Sequence, residues 1–228
     1  MSASEVERFK LNPLAYVKVT CINPQTPSGM IGNVAFNANL AYDTMYCDLV
    51  PWSKSFFGST QQVMLAPQAA PSPKMIPAYY VPYLAYGTIT SNNQAMQPLE
   101  NVSATAPTHK YIFTGGQNGC SLLLLEGAVQ GTVTALHYPN SDGKKAGYPL
   151  LSRINRDKSH IKLAIDFDMY GTDRQPNACS FFYHNGTEWV GVTQPQVQGP
   201  PSKDWKRCSM SLNGQPKMVS SKASGTIP

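Results

Sequence analysis

YIFTGGQNGCSLLLLEGAVQGTVTALHY, residues 111–138, is the stretch that decides how this chain is read. Tyr111–Thr114 is aromatic and β-branched and stops at Gly115-Gly116, the pattern of a strand entering a turn. Asn118-Gly119 gives a second turn signal, and Cys120 follows it directly. Leu122–Leu125 is fully apolar, and Thr132–Tyr138 is a third strand-like run that carries His137. Thr114 lies six residues before Cys120, and His137 lies seventeen after it. A thiol at the mouth of one strand and an imidazole on the next is a way to build a Cys–His pair.

Each of these residues has a chemical reason to be there. The thiolate is the reactive form of cysteine, and a neighbouring imidazolium lowers the thiol pKa. The imidazole then passes protons between nucleophile, leaving group and water. It needs an acceptor to hold it, and either the Thr114 hydroxyl or a nearby carbonyl meets that need. Gly115, Gly116 and Gly119 remove side chains around Cys120, so backbone N–H groups of Asn118 and Gly119 can approach a developing oxyanion. The bland alternative uses the same residues. A cysteine among apolar residues is commonly an inert core residue, a strand histidine is commonly structural, and Gly-Gly and Asn-Gly are common hairpin turns.

The pattern resembles that of the cysteine–histidine glutamine deamidases: the cytotoxic necrotizing factor toxins, the chemoreceptor deamidases and the Burkholderia-type lethal factor. The lethal factor is the nearest of these. Its family carries Phe-Thr and then Ser-Gly-Cys, with the cysteine six positions after the threonine; Phe113-Thr114 and Gly119-Cys120 stand at that spacing, and His137 follows after a variable segment. Gly171-Thr172-Asp173-Arg174-Gln175 also resembles a run in the lethal factor, as does Pro51-Trp52 with Lys54. One departure is Asn118 where the family has serine; it leaves the nucleophile in place and alters the oxyanion pocket. The resemblance implies a β-sandwich and an amide hydrolase with Cys120 as nucleophile, His137 as base and Thr114 as its orienting residue. It implies no cofactor. As substrate it implies a protein glutamine, on the eukaryotic DEAD-box translation-initiation helicase (which would block translation), on Rho-type small GTPases, or on chemoreceptors. Such a chain acts as a toxin or effector, secreted without a cleaved signal or delivered to a host cytoplasm.

Working outward, Ser4 caps a short helix over residues 1–10 that Asn12-Pro13 ends. Ala15–Ile22, Val34–Leu40, Thr44–Val50, Gln61–Ala66 and Tyr79–Thr90 read as strands. Loops are expected at Asn23–Gly32, at Pro51–Thr60 with Trp52, Phe56 and Phe57, at Pro67–Pro77 with its four prolines, and at Ser91–Thr108. Lys144–Ser159 is the best helix, with Arg153, Arg156 and Lys158 on a solvated face. Ile161–Tyr170 alternates as a strand. Cys179–His184 and Glu188–Thr193 flank Asn185-Gly186 as a hairpin, Gln194–Lys203 is a loop, Lys206–Leu212 a last strand, and Asn213–Pro228 a flexible tail. The expected fold is therefore α+β: one domain over 1–228, a twisted β-sandwich of mixed or antiparallel sheets with peripheral helices.

The chain has 228 residues, only 14% charged, with 19 prolines and 17 glycines, which favours a loop-rich β protein over a helical bundle. The net charge of +5 is modest, and without a basic stripe interleaved with aromatics, direct nucleic-acid binding is not expected. Cys21, Cys47, Cys120, Cys179 and Cys208 are odd in number, widely spaced and free of CxxC, which argues against a disulfide framework or zinc site and for a reducing compartment. MSASEVERFK lacks an apolar core, so a signal peptide is not expected, and no apolar run reaches transmembrane length. A monomer is expected. His109 and His184 read as turn residues and His160 as a helix-end residue; no metal pattern occurs. Asp166 and Asp168 share a strand face with no partner in sequence. Three functions compete: a thiol deamidase, a thiol transglutaminase on the same residues, and a non-catalytic β-sandwich binding module.

Overall fold

The computed structural model describes residues 4–24, 29–31, 34–36, 40–51, 61–68, 72–82, 98–138, 160–172, 175, 177–201, 208–221 and 224–226. Helices α1 (Glu5–Leu11) and α2 (Pro13–Val19) lead into strands β1 (Thr20–Pro24), β2 (Gly29–Ile31), β3 (Val34–Phe36), β4 (Tyr42–Pro51), β5 (Gln61–Gln68) and β6 (Ile76–Val81). Next come β7 (Leu99–Ser103), β8 (Tyr111–Thr114), β9 (Gln117–Asn118), β10 (Ser121–Glu126) and β11 (Thr132–Tyr138). The chain continues with β12 (Ile161–Ile165), helix α3 (Phe167–Tyr170), β13 (Asn177–His184), β14 (Trp189–Pro201), β15 (Cys208–Leu212), β16 (Lys217–Val219) and β17 (Ser224–Thr226).

The result is an α+β sandwich. An 11-stranded sheet runs β1-β5-β4-β6-β8-β13-β14-β16-β17, with β15 on β14 and β9 on β13; a 4-stranded sheet runs β12-β10-β11-β7. The large sheet is mixed, since β1–β5 and β6–β8 pair parallel, while the small sheet is antiparallel throughout.

Alternation along the strands sorts side chains into two cores. Tyr111, Phe113, Phe181, Val190 and Val192 leave the large sheet on one face and meet Val6, Phe9, Tyr16 and Val17 of the two helices. Ile112, Phe182 and Trp189 leave on the other and meet Leu122, Leu124, Val133, Ala135 and Ile165 of the small sheet. Phe9 is the hub of the helical layer, with its ring 5.2–6.2 Å from those of Tyr16, Tyr111, Phe113 and Phe181.

The structure corrects several expectations from the sequence: the segments read as loops at Asn23–Gly32 and Ser91–Thr108 hold β2 (Gly29–Ile31) and β7 (Leu99–Ser103), because β3 and β11 give these short runs a partner to pair with. Ala15–Ile22 is not one strand: Asn12 caps α2 through its side chain, which accepts from Ala15 N–H, and Pro13 starts the helix. Pro13, Tyr16 and Val17 then face the core at helical spacing. Ile161–Tyr170 is a strand only to Ile165; Asp166 stands at the N-cap position of α3 without a side-chain cap bond, so Asp166 and Asp168 belong to a helix start and do not share a strand face. Gln194–Lys203 is not a loop as far as Pro201, because β14 runs on to that residue. Its buried Gln194 and Gln196 bond backbone groups of Val17, Thr20 and Ile22. The loop over Pro67–Pro77 is shorter than expected, since β5 reaches Gln68 and β6 starts at Ile76. The tail over 213–228 supplies two strands: β16 pairs with β14 and β17 with β16, and Met218 and Val219 pack on opposite cores. The helix expected over Lys144–Ser159, and Trp52, Lys54, Phe56, Phe57, Asp173 and Arg174, lie outside the described residues.

Among the described residues no helix is long and apolar enough to cross a membrane. Because Phe9 is fully buried under four rings, Phe9→Ala is expected to lower unfolding free energy by roughly 3–5 kcal/mol in urea titrations. Val129→Ser, at a position 56% exposed, should change it by no more than about 0.5 kcal/mol.

Candidate thiol–imidazole site

β8 ends at Thr114, two residues beyond Ile112, so its side chain points into the core between the sheets. On the small sheet, Leu122 stands opposite His137 and Leu124 opposite Ala135. His137 therefore points into the same core from the other side. The two meet: Thr114 Oγ1 and His137 Nδ1 are 2.7 Å apart, and both side chains are buried. The Thr114 hydroxyl is thus within hydrogen-bond distance of the ring.

Cys120 lies two residues before Leu122, at the end of β10 nearest His137. It is the one cysteine of the four described free thiols that is not buried. Burial pushes the Cys21 thiol up to about 12 and raises Cys47 and Cys179 as well, which keeps these three protonated and unreactive. Gly119 has φ +75, a conformation that favours glycine, and turns the chain from β9 into Cys120. The Cys120 thiol points at the Asn118 carbonyl, with Sγ 3.6 Å from the oxygen. That oxygen is an acceptor, whereas an oxyanion needs donors. At Gly116 a Cβ would meet only Pro24 Cγ at 3.6 Å, an ordinary contact, so its glycine is not demanded by crowding.

The electrostatics depart from the expected imidazolium. His137 is buried in an apolar core, and desolvation pushes its pKa down to about 3. The ring is therefore neutral at neutral pH and not a cation. With the ring proton assigned to Nδ1 and donated to Thr114 Oγ1, Nε2 carries the basic lone pair.

Two residues that the sequence did not single out complete the surroundings. Tyr170 in α3 accepts from Cys120 N–H at 2.9 Å and donates to Cys120 C=O at 2.6 Å. Buried Gln117 donates to the same carbonyl at 3.4 Å and accepts from Ser180 Oγ, which in turn accepts from Thr193 Oγ1 at 2.8 Å. No local pattern marks either; a glutamine between two turns reads as loop, and Tyr170 read as the end of a strand.

The other histidines lie elsewhere. His109 Nε2 is 2.9 Å from Thr44 Oγ1, His160 Nδ1 is 3.5 Å from Glu126, and His184 Nδ1 accepts from Gly186 N–H within its own hairpin. Among the described residues no three His, Cys, Asp or Glu side chains group as metal ligands.

The fold and site define an α+β sandwich with a half-buried cysteine just before β10 and a buried threonine-bound histidine on β11. No protein-family model and no curated protein matches the chain.

Burial of neutral His137 has a consequence for stability. Between the ordinary value of 6.5 and about 3, the unfolded chain binds a proton that the folded chain refuses. The contribution of His137 is therefore complete above about pH 6.5 and is lost as pH falls toward 3. His109 and His184, also lowered by burial, act in the same direction. Unfolding free energy should fall between about pH 6 and about pH 5, and His137→Gln should remove about 1 kcal/mol of that fall. Denaturant titrations with equal slopes for the two chains would contradict the burial argument.

Proposed function

We propose that this protein is a cysteine-dependent amide hydrolase that converts a glutamine of a protein substrate to glutamate. The observation that carries the reading is the 2.7 Å contact of Thr114 Oγ1 with His137 Nδ1, on the strand beside the one that Cys120 immediately precedes. It supplies an oriented neutral base at the end of the strand where an accessible thiol sits. The resemblance to the lethal factor and necrotizing factor deamidases supports the same assignment, and the fold is of the class that it implies.

The reaction runs through a thioester. The Cys120 sulfur bonds to the carboxamide carbon as its proton passes to His137 Nε2. The tetrahedral intermediate collapses, the C–N bond breaks, and ammonia leaves with the proton from His137. His137 then takes a proton from water, hydroxide adds to the thioester, and glutamate leaves as the sulfur regains its proton. If an amine takes the place of water, the product is a cross-link, and the chain is a transglutaminase on the same residues. A neutral base, not an ion pair, drives the first step, in keeping with the burial of His137. That burial also favours a second reading, in which His137 is a core histidine and the chain a non-catalytic binding module. The substrates to test first are the DEAD-box translation-initiation helicase and a Rho-type GTPase.

Intact mass spectrometry of these substrates after incubation tests the proposal. A gain of about 1 Da per converted glutamine is expected with the wild-type chain and none with Cys120→Ser, since a hydroxyl is far the weaker nucleophile. Cys21, Cys47 and Cys179 should tolerate serine or alanine without comparable loss. Thr114→Ala should lower kcat roughly tenfold or more with little change in KM, and Thr114→Ser should be much milder. Turnover by Cys120→Ser near the wild-type rate would overturn the assignment.

A further inference from the structure

Helix α3 grips the thiol strand at two successive residues. Its N-cap residue Asp166 accepts from Ser121 Oγ at 2.8 Å. Its last residue, Tyr170, is buried and holds the backbone of Cys120 by both N–H and C=O. Those two groups belong to the two peptide planes that flank Cys120. One hydroxyl bonded to both restrains φ and ψ of Cys120 together, and with them the direction of its Cα–Cβ bond. The restraint matters at this position because the preceding residue is Gly119, at φ +75, where the backbone has the most freedom to rotate.

The clamp is itself held. The Tyr170 ring meets Phe167 edge-on, with centroids 5.6 Å apart and planes at 90°. A Cβ on Gly171 would stand 2.1 Å from Phe167 Cε2, so α3 closes against Phe167 only with glycine there. β12, which leads into α3, is registered on the thiol strand through Ile165 opposite Leu122. The grip is thus built from the strand next to the thiol and does not depend on a surface loop.

We propose that Tyr170 is a positioning residue for Cys120, its hydroxyl fixing the backbone on both sides of the residue that carries the thiol. This rests on the thiol chemistry proposed above, and it adds a residue and an element to that site. It also assigns the Cys120 N–H, a natural oxyanion donor, to the tyrosine in the resting protein.

The test is the rate of Cys120 alkylation by iodoacetamide between about pH 5 and pH 10, read by peptide mass on the whole chain, for wild type, Tyr170→Phe and His137→Gln. Tyr170→Phe keeps the ring and removes the hydroxyl. It is expected to slow alkylation at neutral pH roughly fivefold or more. A folded Tyr170→Phe whose profile overlies wild type overturns the proposal, even if its melting temperature falls. A His137→Gln profile that overlies wild type sinks the Cys–His pairing instead, and a slower Tyr170→Phe beside it leaves the tyrosine's role standing. Hydrogen exchange of the Cys120 amide in the wild-type chain is independent of whether the variant folds: protection is expected, and exchange at the rate of an open loop overturns the clamp.

Discussion

The contact between Thr114 and His137 joins the inner faces of the two sheets at a point where both are otherwise apolar. A buried imidazole or hydroxyl without a partner is costly, so each residue secures the other's place. The pairing also constrains register. Slipping β8 by one residue would send Phe113 into the core between the sheets and Thr114 toward the helices. The aromatic layer around Phe9 resists that slip, because Tyr111 and Phe113 fill it only when Thr114 faces the other way. The helices, remote from the thiol, thus hold the threonine in place through one strand.

The same burial sets the chemistry that the site can perform. A solvated histidine beside a cysteine favours an ion pair; a histidine pushed down to about 3 by desolvation favours a neutral pair whose proton moves only when sulfur attacks. The backbone of Cys120 is held by Tyr170 and Gln117, and Gln117 is tied through Ser180 to Thr193.

What the sequence revealed depended on how local each cause was. Tyr111–Thr114 and Thr132–Tyr138 were legible because strand composition and turn signals coincide, and the structure keeps those bounds. The hairpin at Asn185-Gly186 was legible because its turn is made by its own residues, with Asn185 Oδ1 accepting from Thr187 and Glu188 N–H. The end of β14 was not, because Gln194 and Gln196 read as solvent-facing until β1 and α2 arrive to bond them. Helix α2 was missed because its apolar residues also alternate, and the deciding signal was the pair Asn12-Pro13. At the site, the spacing suggested Thr114, Cys120 and His137 together. The grip of Tyr170, fifty residues from Cys120, has no signature short of the fold, and neither does the burial that keeps His137 neutral.

The central claim is that Cys120 and His137 form a working pair with Thr114 behind it. The most direct measurement is the pair of ring ¹⁵N shifts of His137, recorded before and after Cys120 is alkylated. Nδ1, held by the Thr114 hydroxyl, should keep its shift, while Nε2, the nitrogen that carries the basic lone pair, should move. A His137 ring whose two nitrogens are both indifferent to the state of Cys120 would contradict the account and leave a structural histidine in a sandwich core.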